Sequence, residues 1–384
     1  MSALSDLKGR LPIILGQTLV AGAVIYFALA LFHNTQANLE ARNIASGYGF
    51  MAVEGGLPIN DTLLPYSPSD SYGYAFLIGV VNTLYVSALA IVLSTLLGVI
   101  IGCARVSTNW LVSRLATVYV EVLRNVPLLL TLFLCYSVAL ASLPHPRLSL
   151  SPFEGVFLNN RGLFLPRPQF HHSFWYVAVA FFLALAISIF LVHQARKMQD
   201  RTGRSFPAGW ISLALVLGLS AITWFIAPRP LDFDFAVLQG FNFRGGMVLK
   251  PEFTALLSGL VLYTAAFIAE NVRSGIQSVS AGQRDASKAL GLKPWLTMRK
   301  IVLPQALRVS IPATTNDYAS LVKNSSLAVA IGYPDMVSVG GTIIGQNDQA
   351  VEIIGLWMAV YLSINLIISL FMNWFNARVQ VVER

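Results

Sequence analysis

Charged residues are scarce in this 384-residue chain: Asp, Glu, Lys and Arg together make up 11% of it, whereas 55% is apolar. Soluble domains carry about a quarter of their residues as these four charged types. The mean hydropathy of +0.65 agrees with this imbalance. The apolar residues also form long runs instead of the short periodic stripes of a water-soluble core. The composition therefore argues against a soluble enzyme and predicts an integral membrane protein.

Cysteine is almost absent as well. Cys103 and Cys135 are the only two, and neither belongs to a CxxC or Cys/His spacing. The sequence thus argues against a disulfide framework and against structural zinc. It also lacks the GxxxxGK[ST] phosphate-binding loop, so we expect no ATP hydrolysis by the chain itself. We expect no catalytic residues, no metal site and no cofactor in this chain.

Eight apolar runs are long enough to cross a bilayer. Lipid offers no hydrogen-bond partners to the backbone, so each run of about 20 apolar residues should form a helix. The seventh run is the least regular, because it contains Pro304 and Pro312 and several polar residues, and we expect it to break or to line a cavity. The predicted spans are 11–32, 75–102, 117–141, 174–194, 208–228, 253–274, 303–331 and 353–376.

The first run resembles a secretory signal, because Lys8 and Arg10 precede it. A signal's apolar region is 7–15 residues long, however, and the stretch from Leu11 to Phe32 is longer. We therefore interpret it as an uncleaved membrane anchor.

Basic residues lie mostly on one side of the predicted membrane. Alternate segments, which include both chain ends, hold sixteen of them: Lys8, Arg10, Arg105, Arg114, Arg196, Lys197, Arg201, Arg204, Arg273, Arg284, Lys288, Lys293, Arg299, Lys300, Arg378 and Arg384. The opposite segments hold seven: Arg42, Arg147, Arg161, Arg167, Arg229, Arg244 and Lys250. By the positive-inside rule both termini are cytoplasmic. The net charge of +8 is then a topological signal, and we expect a lipid bilayer and no nucleic acid as partner.

The spans and the segments between them suggest five regions. We predict a cytoplasmic tail and first span at 1–32, an outer loop at 33–74, core spans at 75–141, outer loops with an inserted helical hairpin at 142–252, and further core spans at 253–384. The last region includes a cytoplasmic coupling loop at 278–302. The outer segments 33–74, 142–173 and 229–251 are rich in Gly, Pro, Asn and Ser and are interpreted as compact irregular caps. The segment 332–352 is interpreted as a further outer loop.

Two weaker patterns also need an interpretation. His145, His171 and His172 lie near the outer edge of span four and could bind a metal. Adjacent histidines cannot both face one ion from a helix, so we favour ordinary interfacial residues.

Gly98-x3-Gly102 and Gly341-x3-Gly345 have helix-packing spacing, which among 28 glycines indicates at most a close backbone approach.

The most informative segment is residues 282–304, GQRDASKALGLKPWLTMRKIVLP. Its pattern predicts a short helix over Gln283–Leu290, a left-handed residue at Gly291 and a second short helix that starts at Pro294. An amphipathic, basic knob of this kind is suited to docking into a groove on a cytosolic protein. The residues that we expect to make this contact are Asp285, Ala286, Ser287, Lys288, Leu290, Gly291 and Pro294.

This segment resembles the EAA signature, E-A-A-x3-G-x9-I-x-L-P, of permease subunits in bacterial binding-protein-dependent ABC importers. The matching stretch runs from Asp285 through Gly291 to the Ile301–Pro304 run. Asp285 replaces the usual Glu and Ser287 the second Ala, so the carboxylate is retained.

Further stretches are similar to the polar amino-acid branch of that family. The segments EVLRNVPLL at 121–129 and AENVRSGIQS at 269–278 match the branch, as does LPQALR at 303–308. The stretches LPYSPSDSYG at 64–73 and KNSSLAVAIGYP at 323–334 resemble the general L-amino-acid permeases. The resemblance covers about residues 60–384.

The resemblance implies an all-α membrane protein of the type I ABC importer (MetI-like) fold. Spans two, three, six, seven and eight would form its five-helix core, with an added N-terminal span and an inserted hairpin. It further implies a permease subunit, not an enzyme, in the bacterial inner membrane. Its partners would be cytosolic ATPase subunits that bind the ATP, a second and different permease subunit, and a periplasmic amino-acid-binding protein.

Ionisable residues within the spans are expensive in lipid and are functional candidates. Glu121 and Arg124 lie three residues apart and could pair on one helix face or snorkel towards the membrane surface; we favour the pair. Glu270, with Arg273 three residues on, could be structural or could belong to the pathway. Counting about 1.5 Å per residue from Pro304, Asp317 lies roughly 20 Å deep. The predicted substrate pathway contains Asp317, Asn316, Lys323, Asn324, Ser325 and Glu270.

A zwitterionic amino acid needs an acceptor for its ammonium group and donors for its carboxylate. Asp317 could provide the first, and Lys323 or Asn324 the second. Alternatively, Asp317 and Lys323 only bond to a neighbouring helix. Two other functions remain open: a proton- or sodium-driven secondary transporter, which intramembrane carboxylates would also suit, and a membrane enzyme built on the three outer histidines.

Overall fold

The computed structural model describes residues 2–41, 47–203, 207–228 and 231–379. Four arginines of the basic tally, Arg42, Arg204, Arg229 and Arg384, lie outside these residues. The α-helices of the described part are α1 Ser2–Ala41, α2 Tyr72–Arg105, α3 Trp110–Asn125, α4 Leu128–Ser137, α5 Phe174–Thr202, α6 Ala208–Ile226, α7 Pro251–Ser278, α8 Ala281–Ala289, α9 Pro294–Thr297, α10 Leu303–Asn324, α11 Met336–Asn347 and α12 Ala350–Val379.

Six described helices are long and apolar enough to cross a membrane, and two bent pairs raise the number to eight. The single spans are Leu15–Thr35, Tyr72–Arg105, Phe174–Thr202, Ala208–Ile226, Pro251–Ser278 and Ala350–Arg378. The bent pairs are Trp110–Asn125 with Leu128–Ser142, and Pro294–Ile331 with Met336–Asn347. The prediction of a helical membrane protein with about eight spans is thereby confirmed.

The predicted third span, 117–141, differs from the structure. It consists of two helices, α3 and α4 with its π-helical extension Val138–Ser142, which meet at an angle of 108°. Pro127 explains the break, because proline disfavours the helical conformation of the residue before it. Val126 is accordingly extended, with φ −91° and ψ 130°.

The seventh span also differs in where it bends. The helix passes through Pro304 and Pro312 and continues as a 3-10 helix over Ser325–Ile331. The bend of 54° comes after Ile331. The segment 332–352, interpreted from the sequence as a loop, contains α11, whose first turn is capped by the side chain of Asp335.

The structure divides into two compact units, one made of Met1–Cys135 and Ala255–Arg384 and the other of Tyr136–Thr254. In the first unit, part of the core joins α2, α11 and α12. Its buried members are Leu57, Ala75, Phe76, Met336, Val339, Ile343 and Ile353. The helices α2 and α7 also approach closely, because Gly98 and Gly102 face the α7 backbone.

In its described residues, the second unit contains the hairpin α5–α6 and eight short β-strands that the sequence did not predict. The strands are β1 Leu150–Phe153, β2 Val156–Asn159, β3 Gly162–Leu165, β4 Arg167–Phe170, β5 Leu231–Asp234, β6 Val237–Gln239, β7 Asn242–Arg244 and β8 Met247–Leu249. They form an antiparallel sheet β1-β2-β3-β8 and the two ribbons β4-β5 and β6-β7. Phe164, Ala236 and Phe243 form its small core. The segments interpreted as irregular caps are therefore partly β-structure.

Candidate functional site

A polar cavity of about 300 Å³ lies between α7 and α10. Asp317, one of its lining residues, lies in the second half of α10. Pockets that bind small molecules combine apolar walls with a few polar groups, as this one does. The lining residues are Tyr263, Thr264, Phe267, Asp317, Ser320, Leu321 and Asn324.

Asp317 receives a hydrogen bond from the neighbouring helix. The side-chain amide of Asn271 on α7 donates to Asp317 Oδ2 over 2.6 Å. Asn271 is fixed in turn, because Ser310 Oγ of α10 donates to its backbone carbonyl over 2.9 Å. These two bonds hold one carboxylate oxygen of Asp317 in place at the cavity wall.

The other residues of the predicted pathway occupy different surroundings. Asn324 lines the cavity with Asp317. Ser325 is buried and donates to the carbonyl of Val322 over 2.8 Å, which satisfies its hydroxyl within the helix. Asn316 and Lys323 are exposed in the chain and do not line the cavity. The structure thus brings together Asp317 and Asn324 but not Asn316, Lys323 or Ser325.

Glu270 belongs to a cluster of charges outside the cavity lining. It accepts hydrogen bonds from Arg105 of α2 and from Arg273 of its own helix. Arg124 of α3 lies 4.0 Å away, measured from Nη1 to Glu270 Oε2. One carboxylate therefore joins the helices α2, α3 and α7. Its role in the pathway stays a prediction.

The expected pairing of Glu121 with Arg124 on one helix face was wrong. Glu121 instead pairs with Arg105 across to α2, with Oε1 and Nη2 3.5 Å apart. Arg124 turns to α7, where it approaches Glu270 and lies over the ring of Phe267, with 5.4 Å between the guanidinium carbon and the ring centroid. Glu121 and Arg124 thus each contact a neighbouring helix instead of each other, because α2, α3 and α7 meet here.

The coupling loop has the local conformation that its sequence predicts. A short helix α8 covers Ala281–Ala289, Gly291 adopts φ +68°, and Pro294 occupies the first turn of α9. A left-handed conformation costs glycine little, since it has no Cβ. The second helix is not short, however. The helix begun at Pro294 continues through a π-helical turn at Met298–Val302 into α10 and reaches Ile331.

Within the loop, the expected docking residues divide into exposed and buried ones. Asp285 and Lys288 are exposed and pair with each other over 3.2 Å. Leu290 keeps 78% of its surface exposed, as an apolar contact residue would. Ser287, by contrast, is 1% exposed and accepts a hydrogen bond from Thr297 Oγ1 over 3.1 Å. Ala286 and Pro294 are exposed beside them.

Several site residues were not predicted from the sequence. Tyr263, Thr264 and Phe267 of the cavity wall lie in an apolar run with no polar pattern to mark them. Arg284 anchors the coupling loop by donating to the backbone carbonyl of Ile276. Asn271 stands in the quoted stretch AENVRSGIQS, but only its contact with α10 gives it a role.

The outer histidines do not assemble into a metal site. Among the described residues, no group of three His, Cys, Asp or Glu side chains is arranged to hold a metal ion. His171 lies 3.9 Å from Asp232 across the β4–β5 ribbon. The interfacial interpretation of the histidines stays a prediction.

Comparison with known proteins identifies the family. The family model described as the inner membrane component of binding-protein-dependent transport systems matches residues 201–381. The general L-amino acid transport system permease protein AapQ of Rhizobium johnstonii is 45% identical over 383 residues, which is 100% of this chain and 95% of that protein. The putative amino-acid ABC transporter permease protein YhdX of Escherichia coli is 46% identical over 96% of this chain and 94% of its own.

One solved structure, described as an amino acid ABC transporter with histidines, aligns with a TM-score of 0.47 and 20% identity. The alignment covers 80% of this chain and 95% of the other. The two nearly full-length relatives and the family model lead to one assignment. The chain belongs to the family of inner membrane components of binding-protein-dependent ABC transport systems, as one of its permease subunits.

Proposed function

We propose that this permease carries L-amino acids from the periplasm to the cytoplasm and binds them in the cavity beside Asp317. The relatives whose names specify amino acids support the substrate class. The distribution of basic residues supports an inner-membrane protein with both termini in the cytoplasm.

Asp317 has the chemistry to bind the ammonium group of the substrate. One of its carboxylate oxygens bonds to Asn271, which leaves the other available to the cavity. Asn324 and Ser320 provide donors for the substrate's carboxylate. Phe267 and Leu321 supply apolar surface for a side chain. A pocket of about 300 Å³ is at the small end of ligand sites, which suits a molecule of amino-acid size.

The observation that carries the proposal is the continuous helix between the coupling loop and this cavity. It begins at Pro294, within the loop, and reaches Asp317 after 23 residues, or about 35 Å at the rise of an α-helix. A displacement of the loop would therefore move the helix that carries Asp317. A movement of the loop driven by a partner's ATP hydrolysis can thereby change the affinity of the cavity for its substrate.

Permeases of this family work with an ATPase and a substrate-binding protein. For this chain we propose that cytosolic ATPase subunits dock on Asp285, Lys288 and Leu290 and bind the ATP. A second, different permease subunit and a periplasmic amino-acid-binding protein would complete the transporter. Without a phosphate-binding loop of its own, the chain depends on such a partner for energy.

Reconstitution in proteoliposomes tests this function. The full chain, with candidate permease, ATPase and binding-protein partners, is expected to accumulate labelled L-amino acids only when ATP is supplied. Dissipating proton and sodium gradients should leave the uptake unchanged. Uptake that persisted without ATP and followed either gradient would overturn the importer assignment for this chain.

A further inference from the structure

A second cavity, of about 230 Å³, lies behind the coupling loop. It is distinct from the substrate cavity and shares none of its lining residues. Two basic side chains, two hydroxyl groups and an apolar wall contribute to it. The lining residues are Val106, Ile276, Arg284, Ser287, Lys288, Leu292, Pro294, Thr297, Met298 and Val302.

The polar part of this cavity is basic. Arg284 and Lys288 both line it, and Asp285, paired with Lys288 over 3.2 Å, is the only acidic residue in 279–304. The same segment contains Lys293, Arg299 and Lys300, so its net charge is +4 from five basic residues and one acidic residue. Such a surface attracts anions and repels cations.

Arg284 has unused hydrogen-bonding capacity at the cavity. Its Nη2 donates to the carbonyl of Ile276, but its buried Nε has no hydrogen-bond partner among the described residues. The guanidinium group lines the cavity, and its terminal N–H groups can donate to an anion there. Charge-assisted bonds from arginine to phosphate oxygens are among the strongest in proteins.

The rest of the cavity wall is apolar and reaches the ends of three helices. Val106 follows α2, Ile276 lies in the last turns of α7, and Val302 precedes α10. The cavity therefore combines a basic part on the loop with an apolar part at the level where the helices leave the bilayer. A free inorganic anion would contact only the basic part of the cavity. An amphiphile with an anionic headgroup would contact both the basic part and the apolar wall.

We propose that this cavity binds an anionic phospholipid of the cytoplasmic leaflet, with the phosphate at Arg284 and Lys288 and the start of an acyl chain against Val106, Ile276 and Val302. Basic pockets beside helix ends on the cytoplasmic side suit such headgroups. The assignment of the leaflet rests on the proposed orientation. A lipid bound there would hold α8 against α7. The lipid composition of the membrane would then influence the position of the coupling loop.

Native mass spectrometry of the purified full chain tests this directly. The protein is delipidated and titrated with phosphatidylglycerol or with phosphatidylcholine of the same acyl chains. We expect the wild type to retain one phosphatidylglycerol in clear preference to phosphatidylcholine. The double variant Arg284→Gln/Lys288→Gln should lose about tenfold in affinity for it. The control Arg299→Gln/Lys300→Gln removes the same charge outside the cavity and should retain the preference.

A second variant guards against a folding defect, because Arg284 also anchors the loop. Lys288→Glu leaves that anchor intact and should weaken phosphatidylglycerol binding to a similar degree. Equal losses in the cavity and control variants would overturn the proposal, as would the absence of a preference for phosphatidylglycerol. Release of the lipid by inorganic phosphate at equal concentration would also overturn it. The lipid is counted without any uptake assay, so this result is independent of the transport proposal.

Discussion

Asn271 on α7 donates a hydrogen bond of 2.6 Å to the carboxylate of Asp317 on α10. The bond joins the helix that leads into the coupling loop to the helix that leads out of it. Both helices therefore meet at the carboxylate that faces the cavity, and a relative movement of the two would change its position. This contact makes Asp317 the most informative residue for mutation.

Asp317→Asn removes the negative charge while it preserves the shape of the side chain. We expect the KM for amino-acid uptake to rise about tenfold or more, because a hydrogen bond to a charged group is lost. Reconstituted transport over a range of substrate concentrations measures this. Glu154→Gln, on the exposed turn between β1 and β2, is the matched control and should behave like the wild type. Unchanged kinetics in Asp317→Asn would leave only a structural role for this carboxylate.

Gly291 is a sensitive position because of its backbone conformation, not because of lack of space. Its φ is +68°, and a Cβ placed there would meet no atom within 4 Å. Asparagine tolerates this conformation and valine does not. Gly291→Asn should therefore keep most of the ATP-dependent uptake, and Gly291→Val should lose about tenfold, with normal membrane insertion. Equal transport by the two variants would contradict the importance of the loop conformation.

Glu270 should contribute strongly to stability, since it is the shared partner of Arg105, Arg124 and Arg273. The side chain of Arg105 is 8% exposed. In Glu270→Gln its guanidinium would keep only one carboxylate partner, the more distant Glu121. We expect a loss of about 3 kcal/mol in the free energy of unfolding.

Glu121→Gln is the comparison for this effect, because the Glu121 side chain is 58% exposed and its contact with Arg105 is longer. Its removal should cost less than about 1 kcal/mol. Thermal unfolding of the purified variants gives the order. A larger loss for Glu121→Gln than for Glu270→Gln would show that the cluster is organised differently.

Of the two Gly-x3-Gly motifs, only one mediates close helix packing. A Cβ at Gly102 would lie 2.8 Å from the carbonyl of Ala269 and 2.7 Å from the Cβ of Val272, whereas at Gly345 it would meet nothing within 4 Å. Gly102→Ala should therefore destabilise the protein by about 1–3 kcal/mol. Gly345→Ala should be neutral or slightly stabilising. The two melting temperatures, measured in the same detergent, distinguish the motifs.

Features that depend on interactions between residues close in sequence could be predicted, and features that depend on contacts between helices could not. The conformations at Gly291 and Pro294 were predictable, because these residues act on their own backbone. The length of the helix that starts at Pro294 was not predictable from them. The helix break at Val126 is also a local effect of Pro127. It was missed because the apolar residues around it were interpreted as one continuous span. The ion pairs of Glu121 and Arg124 depend on contacts between helices and could not be predicted from spacing along one helix.

The β-strands were missed for a different reason. Each has three or four residues, which is too short for an alternation of polar and apolar side chains to stand out. The cavity wall at Tyr263 and Phe267 was missed because aromatic residues are unremarkable in an apolar span. Polar residues within a span, such as Asp317, remain the clearest signal of a pathway.

Tyr136 and Glu252 stand at the two ends of the second unit, and the phenol oxygen of Tyr136 lies 3.2 Å from Glu252 Oε1. A segment whose ends meet can be gained or lost in evolution without separating the elements on either side. The β-strands and the hairpin α5–α6 thus have the character of an exchangeable module. Shorter permeases of the same family would need only a brief connection in its place.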